Sequence, residues 1–413
     1  MENSPFFECN TKWRGWIFIM RKRIICVLAT SVLLSSFGSI ASAKDWSTLS
    51  NPQWTQSTND EFLDVKNDIH LATDQKLVYL HMQDEKTYTK IWNYDTLNAV
   101  DPDTGKTKWV FPFFKEGIGY LTTEYPFMYG KNGTTYAYFE SNHLLYSINA
   151  KGKQNWMIKL PEQQHPDAVW DNPVHLMKDG TLLYVVPKSN KLGSEKTIVY
   201  GYNKNGKQIF KKMISGQVEQ ITDTYVIVQN QSTSASDFKT DVYTVGMKRL
   251  YRYEFPKGAT TNSGYTTVWD DGTILLRADL PKTGNRLTAI SPKGKVLWTR
   301  EVTGNAEIRG VGNYYIVYAD KVASLYDSKG FVAKHTFDHI DDEVPIYPSV
   351  RMTDDHKIWL DLVVEQYVLD PKDMSVIQNF KLNNKDTVIM QYDNNVVYTL
   401  DESKNKVSKY QLK

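Results

Sequence analysis

The sequence predicts an all-β protein of the β-propeller type, and three observations carry that prediction. Beyond residue 60, short β-rich runs alternate with Gly, Asn, Asp and Lys turns, and no stretch keeps a 3.6-residue apolar period. One unit recurs along the chain, its polar turn marker stepping from Asp101 to Asp401 at a mean interval of about 43 residues. Aromatics are 13% of the 413 residues, with 26 Tyr and 11 Trp, types that suit a pleated, half-buried surface. That period fits a four-stranded blade and is too long for a leucine-rich or hexapeptide repeat. Radial stacking of such sheets leaves only short, protected edges. The expected architecture is eight blades of four-stranded antiparallel sheet, with seven blades and a detached end as the alternative.

The N-terminus reads as an address. In MRKRIICVLATSVLLSSFGSIASA (20–43), Arg21, Lys22 and Arg23 form a positive region, residues 24–37 a short apolar one, and Ala41-Ser42-Ala43 a small-residue cleavage site. These are the parts of a secretory signal peptide. The apolar run is short and broken by Ser and Gly, which disfavours a membrane anchor. Cys26 lies too early for a lipid-anchor motif. A complete signal starting at Met20 makes residues 1–19 an over-extended start. The expected division is a leader and signal at 1–43 and one propeller domain at 44–413, with no membrane span after cleavage.

Composition excludes several functions. Formal net charge is +2, and no run of Lys/Arg supports a nucleic-acid partner. Cleavage after Ala43 leaves 44 basic and 45 acidic residues, so net charge does not steer the protein to an anionic polymer either. Both cysteines, Cys9 and Cys26, are in the leader. The mature chain therefore has no disulfide, cysteine nucleophile or thiolate ligand.

The repeat is clearest at Leu97–Phe111, LNAVDPDTGKTKWVF. Further copies are LLYSINAKGKQNWMIKL (144–160), IVYGYNKNGKQIFKKMI (198–214), DVYTVGMKRLYRYEF (241–255), RLTAISPKGKVLWTREV (286–302), VASLYDSKGFVAKHTF (322–337), EQYVLDPKDMSVIQNF (365–380) and NVVYTLDESKNKVSKYQL (395–412). In each, an alternating strand ends at a polar residue: Asp101, Asn149, Asn203, Ser291, Asp327, Asp370 or Asp401. A tight turn follows in which Gly or Asn supplies positive φ, with Asp373 and Asn405 in that place in the last two units. An edge strand then carries Trp109, Trp156, Phe210, Tyr253, Trp298, Phe337, Phe380 or Tyr410. Another strand, such as TTYAYFE (134–140) or KIWLDLV (357–363), precedes most units. The short NNKD turn after Phe380 leaves no room for a full last blade. Residues 52–58, PQWTQST, carry Trp54 in the manner of an outer strand and are expected to complete it.

On these residues the chain resembles the pyrroloquinoline-quinone (PQQ) type of propeller repeat. Asp101, Thr104, Gly105 and Trp109 carry the likeness almost completely, units two and five well, the others loosely. That repeat occurs in quinoprotein alcohol dehydrogenases and in the propeller lipoprotein of the outer-membrane assembly machinery. For the dehydrogenases, the resemblance implies a disulfide of adjacent cysteines, a calcium ion and a catalytic Asp. A mature chain without cysteine points to the non-enzymatic branch, with no cofactor, and fold alone does not set function.

Other chemistry is weakly supported. DPDTGK (101–106) lacks the donors of a calcium loop and the length of a P-loop, and reads as a turn. His335 and His339 have i, i+4 spacing, but on a strand and its following loop they do not form a helix-face metal pair. Asp354-Asp355-His356 reads as a turn, and no G-x-S-x-G elbow occurs. No catalytic, cofactor or metal residue is assigned. Candidate recognition residues are Tyr120, Trp170 and Tyr347, in the non-repeat loops 115–120, 163–170 and 345–348, because exposed aromatics suit sugar stacking and protein hot spots. Residues 234–240 read as a hairpin tip. The expected function is a secreted, monomeric scaffold binding a protein, peptide or cell-wall glycan. The alternatives are an extracellular polysaccharide lyase or hydrolase, and an accessory to envelope assembly.

Overall fold

The segment Thr135–Phe139 is buried at every position, whereas Thr107–Pro112 alternates exposed and half-buried side chains. The contrast arises when sheets are stacked face to face: middle strands are covered on both faces, outer strands on one. The computed structural model describes residues 47–49, 51–57, 63–71, 78–84, 95–113, 127–139, 142–162, 173–189, 196–231, 238–260, 264–280, 284–302, 306–319, 321–337, 349–353, 355–362, 365–381, 387–393, 395–401, 404 and 406–412. The molecule is an all-β propeller.

Two short strands come first, β1 (Ser47–Thr48) and β2 (Trp54–Ser57). The first sheet is β3 (Leu63–Leu71), β4 (Val78–Asp84), β5 (Asp95–Val100) and β6 (Thr107–Pro112). The second is β7 (Phe127–Tyr129), β8 (Thr135–Phe139), β9 (Leu144–Ile148) and β10 (Gln154–Lys159). The third is β11 (Val174–Leu176), β12 (Leu182–Ser189), β13 (Lys196–Tyr202) and β14 (Gln208–Ser215). The fourth is β15 (Gln217–Ile221), β16 (Tyr225–Gln231), β17 (Phe238–Thr244) and β18 (Arg249–Glu254). The fifth is β19 (Gly264–Val268), β20 (Ile274–Leu280), β21 (Gly284–Ile290) and β22 (Val296–Val302). The sixth is β23 (Glu307–Val311), β24 (Tyr314–Ala319), β25 (Val322–Tyr326) and β26 (Phe331–Thr336). The seventh is β27 (Ser349–Met352), β28 (Ile358–Leu362), β29 (Glu365–Leu369) and β30 (Val376–Lys381), with β1 added in parallel to β30. Last come β31 (Thr387–Asp393), β32 (Val396–Asp401) and β33 (Lys406–Gln411), whose sheet is completed by β2 antiparallel to β33.

Among the described residues, seven sheets are thus built from four consecutive strands and an eighth is composite. This corrects the expectation of eight blades in favour of the seven-blade alternative, because the last three strands do not make a four-stranded sheet of their own. The marker turn joins the third and fourth strands in the first seven sheets, but Asp401 lies between β32 and β33, the second and third strands of the composite sheet. Tyr410 accordingly lies on a third strand, and Trp54 of β2 takes the outer place. The expected closure by residues 52–58 is what the pairing of Trp54 with Lys409 shows. First strands pack side by side at β7 and β11, β15 and β19, β19 and β23, and β23 and β27, and β3 packs against β31, so the first and composite sheets are neighbours.

The marker turns share one mechanism. The side-chain oxygen of Asn149 accepts the Lys151 and Lys153 amides at 2.9 and 3.1 Å, and that of Asn203 does the same for Asn205 and Lys207. Asp101 takes the amides of Asp103 and Thr104, the Thr104 hydroxyl and, at 2.8 Å, the Lys108 ammonium. These contacts, Lys108 foremost, hold its carboxyl well below the usual range. DPDTGK is therefore an Asx turn, as expected.

What stacks one sheet on the next is an aromatic side chain on the outer strand, laid on the following sheet's turn. Trp109 donates Nε1–H to the Ala150 carbonyl at 3.0 Å, and Trp156 donates to Lys204 O at 2.8 Å. Trp54 donates to Pro102 O at 2.8 Å in the same way. Glycine is required beneath the ring: φ is +69° at Gly105 and +72° at Gly152, and a Cβ there would sit 2.6–2.9 Å from the indole. Gly294 meets Tyr251, so Tyr251 and not the expected Tyr253 is the docking residue of the fourth sheet. In the sixth and seventh sheets the matching register falls at Ala333 and Gln378, and the expected Phe337 and Phe380 are core residues instead.

Where the turn glycine is missing, volumes exchange. Met247 (φ 59°) occupies that place in the fourth sheet and packs with Phe210. Met374 (φ 59°) does so in the seventh and packs with Ala333, so Met374, not Asp373, stands in for glycine. Methionine fills irregular gaps well, which offsets the strain of left-handed backbone. Asn405 lies outside the described residues. The expected hairpin tip at 234–240 is corrected where it is described: Phe238–Thr240 open β17, with Phe238 and Thr240 buried.

Closure at the composite sheet carries an extra contact. Lys409 is buried, and its ammonium donates to the same Pro102 carbonyl at 2.8 Å. Thr55 and Ser408 hydroxyls meet at 3.0 Å. Truncating Trp54 to Ala should cost about 3–5 kcal/mol, the range for removing a buried Trp or Phe, read as a lower urea midpoint. Trp54→Phe, which loses chiefly the hydrogen bond, should cost about 1 kcal/mol. Equal midpoints for wild type and Trp54→Ala would show that the seam does not hold the ring.

Burial raises the phenol pKa of Tyr136, Tyr146, Tyr251 and Tyr367, and pushes Tyr202 up to about 12, helped by Tyr200 and Tyr184. A raised phenol binds its proton more tightly in the folded state. Its stabilisation is complete below the unfolded value near pH 10 and is lost as pH rises toward 12. The urea midpoint should therefore fall between pH 10 and 12 as tyrosinate absorbance grows. A flat midpoint across that window contradicts the assignment.

Candidate functional site

Among the described residues, turns between first and second strands, and between third and fourth, lie at one edge of each sheet built from consecutive strands, because strands alternate in direction. At that edge, between the second and third sheets, is a groove of about 780 Å³. The 3-10 turn Lys131–Gly133, after β7, forms one wall, with Asn132 at φ 69°. The Met177–Thr181 turn forms the other, closed by Gly180 N–H to Met177 O at 2.9 Å. Lys204 and Asn205, from the marker turn of the third sheet, close one end, and Asp223 of the fourth sheet lines the groove too. The Lys178 amide donates to Asp223 O at 2.9 Å, tying those two turns together.

The floor is apolar and aromatic: Tyr129, Tyr136, Trp156, Leu176 and the buried Met177. Tyr136 and Trp156 have ring centroids 5.8 Å apart at 42°, and burial raises the Tyr136 phenol pKa. Tyr136 is thus a neutral donor or acceptor at ordinary pH. Trp156 is fixed by its hydrogen bond to Lys204 O, and Gly206 lies against its ring, where a Cβ would stand 3.0 Å away. Its face is committed to the stack, so the floor is a tilted cleft and not a flat platform. The walls carry the charge: the ammonium groups of Lys131, Lys178 and Lys204, with the carboxylates of Asp179 and Asp223. One Asp179 oxygen accepts the Thr181 amide at 2.9 Å. Neutral amides, Asn132, Asn155 and Asn205, complete the rim. This set can bind by charge, amide hydrogen bonds and apolar contact.

Tyr120, Trp170 and Tyr347 fall outside the described residues. Their loops connect β6 to β7, β10 to β11 and β26 to β27, leaving from the sheet edge opposite the groove. The groove was missed because its residues read as turn punctuation, and the available signal was three lysines on turns of adjacent units. His335 packs on Phe337 at 4.6 Å, and His339 lies outside the described residues. His356, at φ 60°, closes the turn expected around it.

The inner strands carry a second set of polar groups. Arg309 pairs with Glu307 at 2.8 Å, and the Arg351 guanidinium lies 3.4 Å from the Trp359 ring centroid. Trp359 Nε1–H donates to Gln366 Oε1 at 2.7 Å, and Gln366 donates on to Asp361. Desolvation lowers the Arg351 pKa to about 10. The cavity beside it is only about 110 Å³. Among the described residues no helix is long and apolar enough to cross a membrane.

The family comparison agrees with the architecture. The model of the family described as outer membrane protein assembly factor BamB matches residues 93–314. No curated protein matches the chain. Among solved structures, BamB from Moraxella catarrhalis is 9% identical, with a TM-score of 0.47, covering 88% of this chain and 99% of that one. A europium-containing methanol dehydrogenase is 10% identical, with a TM-score of 0.43 and 84% of each chain covered. Virginiamycin B lyase from Staphylococcus aureus is 12% identical, with a TM-score of 0.40, covering 70% of this chain and 94% of that one.

Proposed function

The chain belongs to the family of the outer membrane protein assembly factor BamB, and from that membership we propose that it is a non-catalytic scaffold. In this reading it is exported, acts as a monomer in the cell envelope, and holds a protein partner in the groove between its second and third sheets.

The observation that carries the reading is the groove, which joins an apolar floor to a rim of amides and unlike charges. Protein interfaces combine a buried aromatic centre with a polar rim in this way. A protein is favoured over a wall glycan because the Trp156 face is covered by Gly206 and Tyr136 and offers a sugar no platform. The family's name and the signal-like leader at 20–43 support an envelope location. The leading alternative is a polysaccharide lyase or hydrolase working on the same fold.

The test uses protein from Lys44 onward as bait against envelope extract and a wall-polysaccharide panel. Retention of a defined envelope protein by wild type, and its loss when Asn205→Trp fills the groove, supports the reading. Retention unaffected by Asn205→Trp, no retention, or shortening of a polysaccharide overturns it.

A further inference from the structure

We infer that the groove is built for an acidic, extended peptide segment of its partner, with one apolar side chain on the floor and carboxylates on Lys131, Lys178 and Lys204. The inference rests on the scaffold reading and adds the chemistry of the ligand.

Three features support it. The first is charge: three ammonium groups on three separate turns face two carboxylates, one of which already accepts the Thr181 amide. No ion pair of these three lysines occurs among the described residues, while Lys108, Lys159, Lys239, Lys404 and Lys409 each lie within 4.0 Å of a carboxylate. The turns that carry them are fixed by their own backbone bonds, Gly130 N–H to Thr134 O at 2.7 Å, Met177 N–H to Thr181 O at 2.8 Å and Asn203 N–H to Lys207 O at 2.9 Å. The charges are therefore held at the rim by a preformed frame, which lowers the ordering cost of binding.

The second is the floor. Leu176 and Met177 lie beside Tyr129 and Tyr136, enough apolar surface for one side chain. The third is the shape of the aromatic pair. A sugar ring stacks on an open, flat face, and here the 42° tilt and the Gly206 contact remove it. An extended peptide needs no such face. It can place an apolar residue on the floor, with acidic neighbours reaching the lysines on either side.

The probe is a fluorescein-labelled nonapeptide of three Glu-Glu-Leu repeats, with a Lys-Lys-Leu counterpart and a trigalacturonate oligosaccharide as comparators, read by anisotropy on the full mature chain. The Glu peptide should bind, the Lys peptide should not, and the oligosaccharide should fail to compete. Raising salt from about 0.05 to 0.5 M should weaken binding severalfold, because exposed charges are screened. Reversing the three lysines (Lys131→Glu, Lys178→Glu, Lys204→Glu) should weaken it by about eightfold or more, at roughly twofold or more for each exposed pair lost. A single reversal at Lys212, an exposed lysine outside the groove, should leave it unchanged. All three sites are exposed, so the variants should melt as wild type does. Equal binding of both peptides, displacement by the oligosaccharide, or indifference to the triple reversal overturns the inference. If the envelope protein is still retained through the groove while the Glu peptide does not bind, only the acidic-peptide assignment falls. If neither is retained, the scaffold reading falls as well.

Discussion

An indole laid over a glycine turn of the next sheet is the contact on which the rest of the structure depends. Each sheet alone is a small meander with two apolar faces, and it is stable only when both are covered. The indole covers part of one face and donates its N–H to a turn carbonyl that would otherwise face the ring. The requirement is reciprocal. The turn must have left-handed φ and no Cβ, and the preceding outer strand must supply a large flat ring. Where methionine takes the turn position, the opposing residue shrinks to Phe210 or Ala333. Degeneracy of the repeat is therefore not random. Losses on one sheet are matched on its neighbour, and the fold survives with two sites that no longer look like the motif.

That reciprocity explains how far the sequence could be read. Marker turns and the buried middle strands were legible because each depends on residues within a few positions, as at Asp101 and Gly105. Closure by Trp54 was legible because the segment carries an outer-strand aromatic with no sheet of its own. The docking residues of the later sheets were not. Tyr251 and Tyr253 are both aromatic and two apart, so periodicity puts them on one face, and only the bulge between Val242 and Tyr243 decides which docks. The last unit was misphased for a similar reason. Asp401 ends a strand before a short turn, as the true markers do, but the chain has spent one strand fewer by then.

The groove was least legible. Lys131, Lys178 and Lys204 lie on three turns whose local sequences are ordinary, and nothing local says that those turns converge. Convergence is a property of the stacking angle between sheets, which no single repeat encodes. Tyr120, Trp170 and Tyr347, suggested by composition, belong to the segments between β6 and β7, β10 and β11, and β26 and β27, outside the described residues. A propeller has two edges, and aromatic content alone does not choose between them.

The composite sheet has a consequence for how the chain reaches its folded state. Residues Thr55 and Ser408 lie 353 positions apart. Closing so long a loop in an open chain would cost about 5 kcal/mol of entropy. The chain does not have to meet that cost at once, since the first seven sheets are each made of neighbouring strands and can form in order of synthesis. Once they have stacked, curvature brings both ends together, and the final pairing is nearly local. Strand β2, made near the start, is thus the one that waits longest for its partner. Until β33 arrives, the sheets are an open arc whose two end faces, one at β3 and one at β30, are both uncovered. Circular permutation that joins the present ends and opens a loop between two intact sheets would replace this waiting period with an ordinary hairpin, turning a seam that forms last into one that forms early.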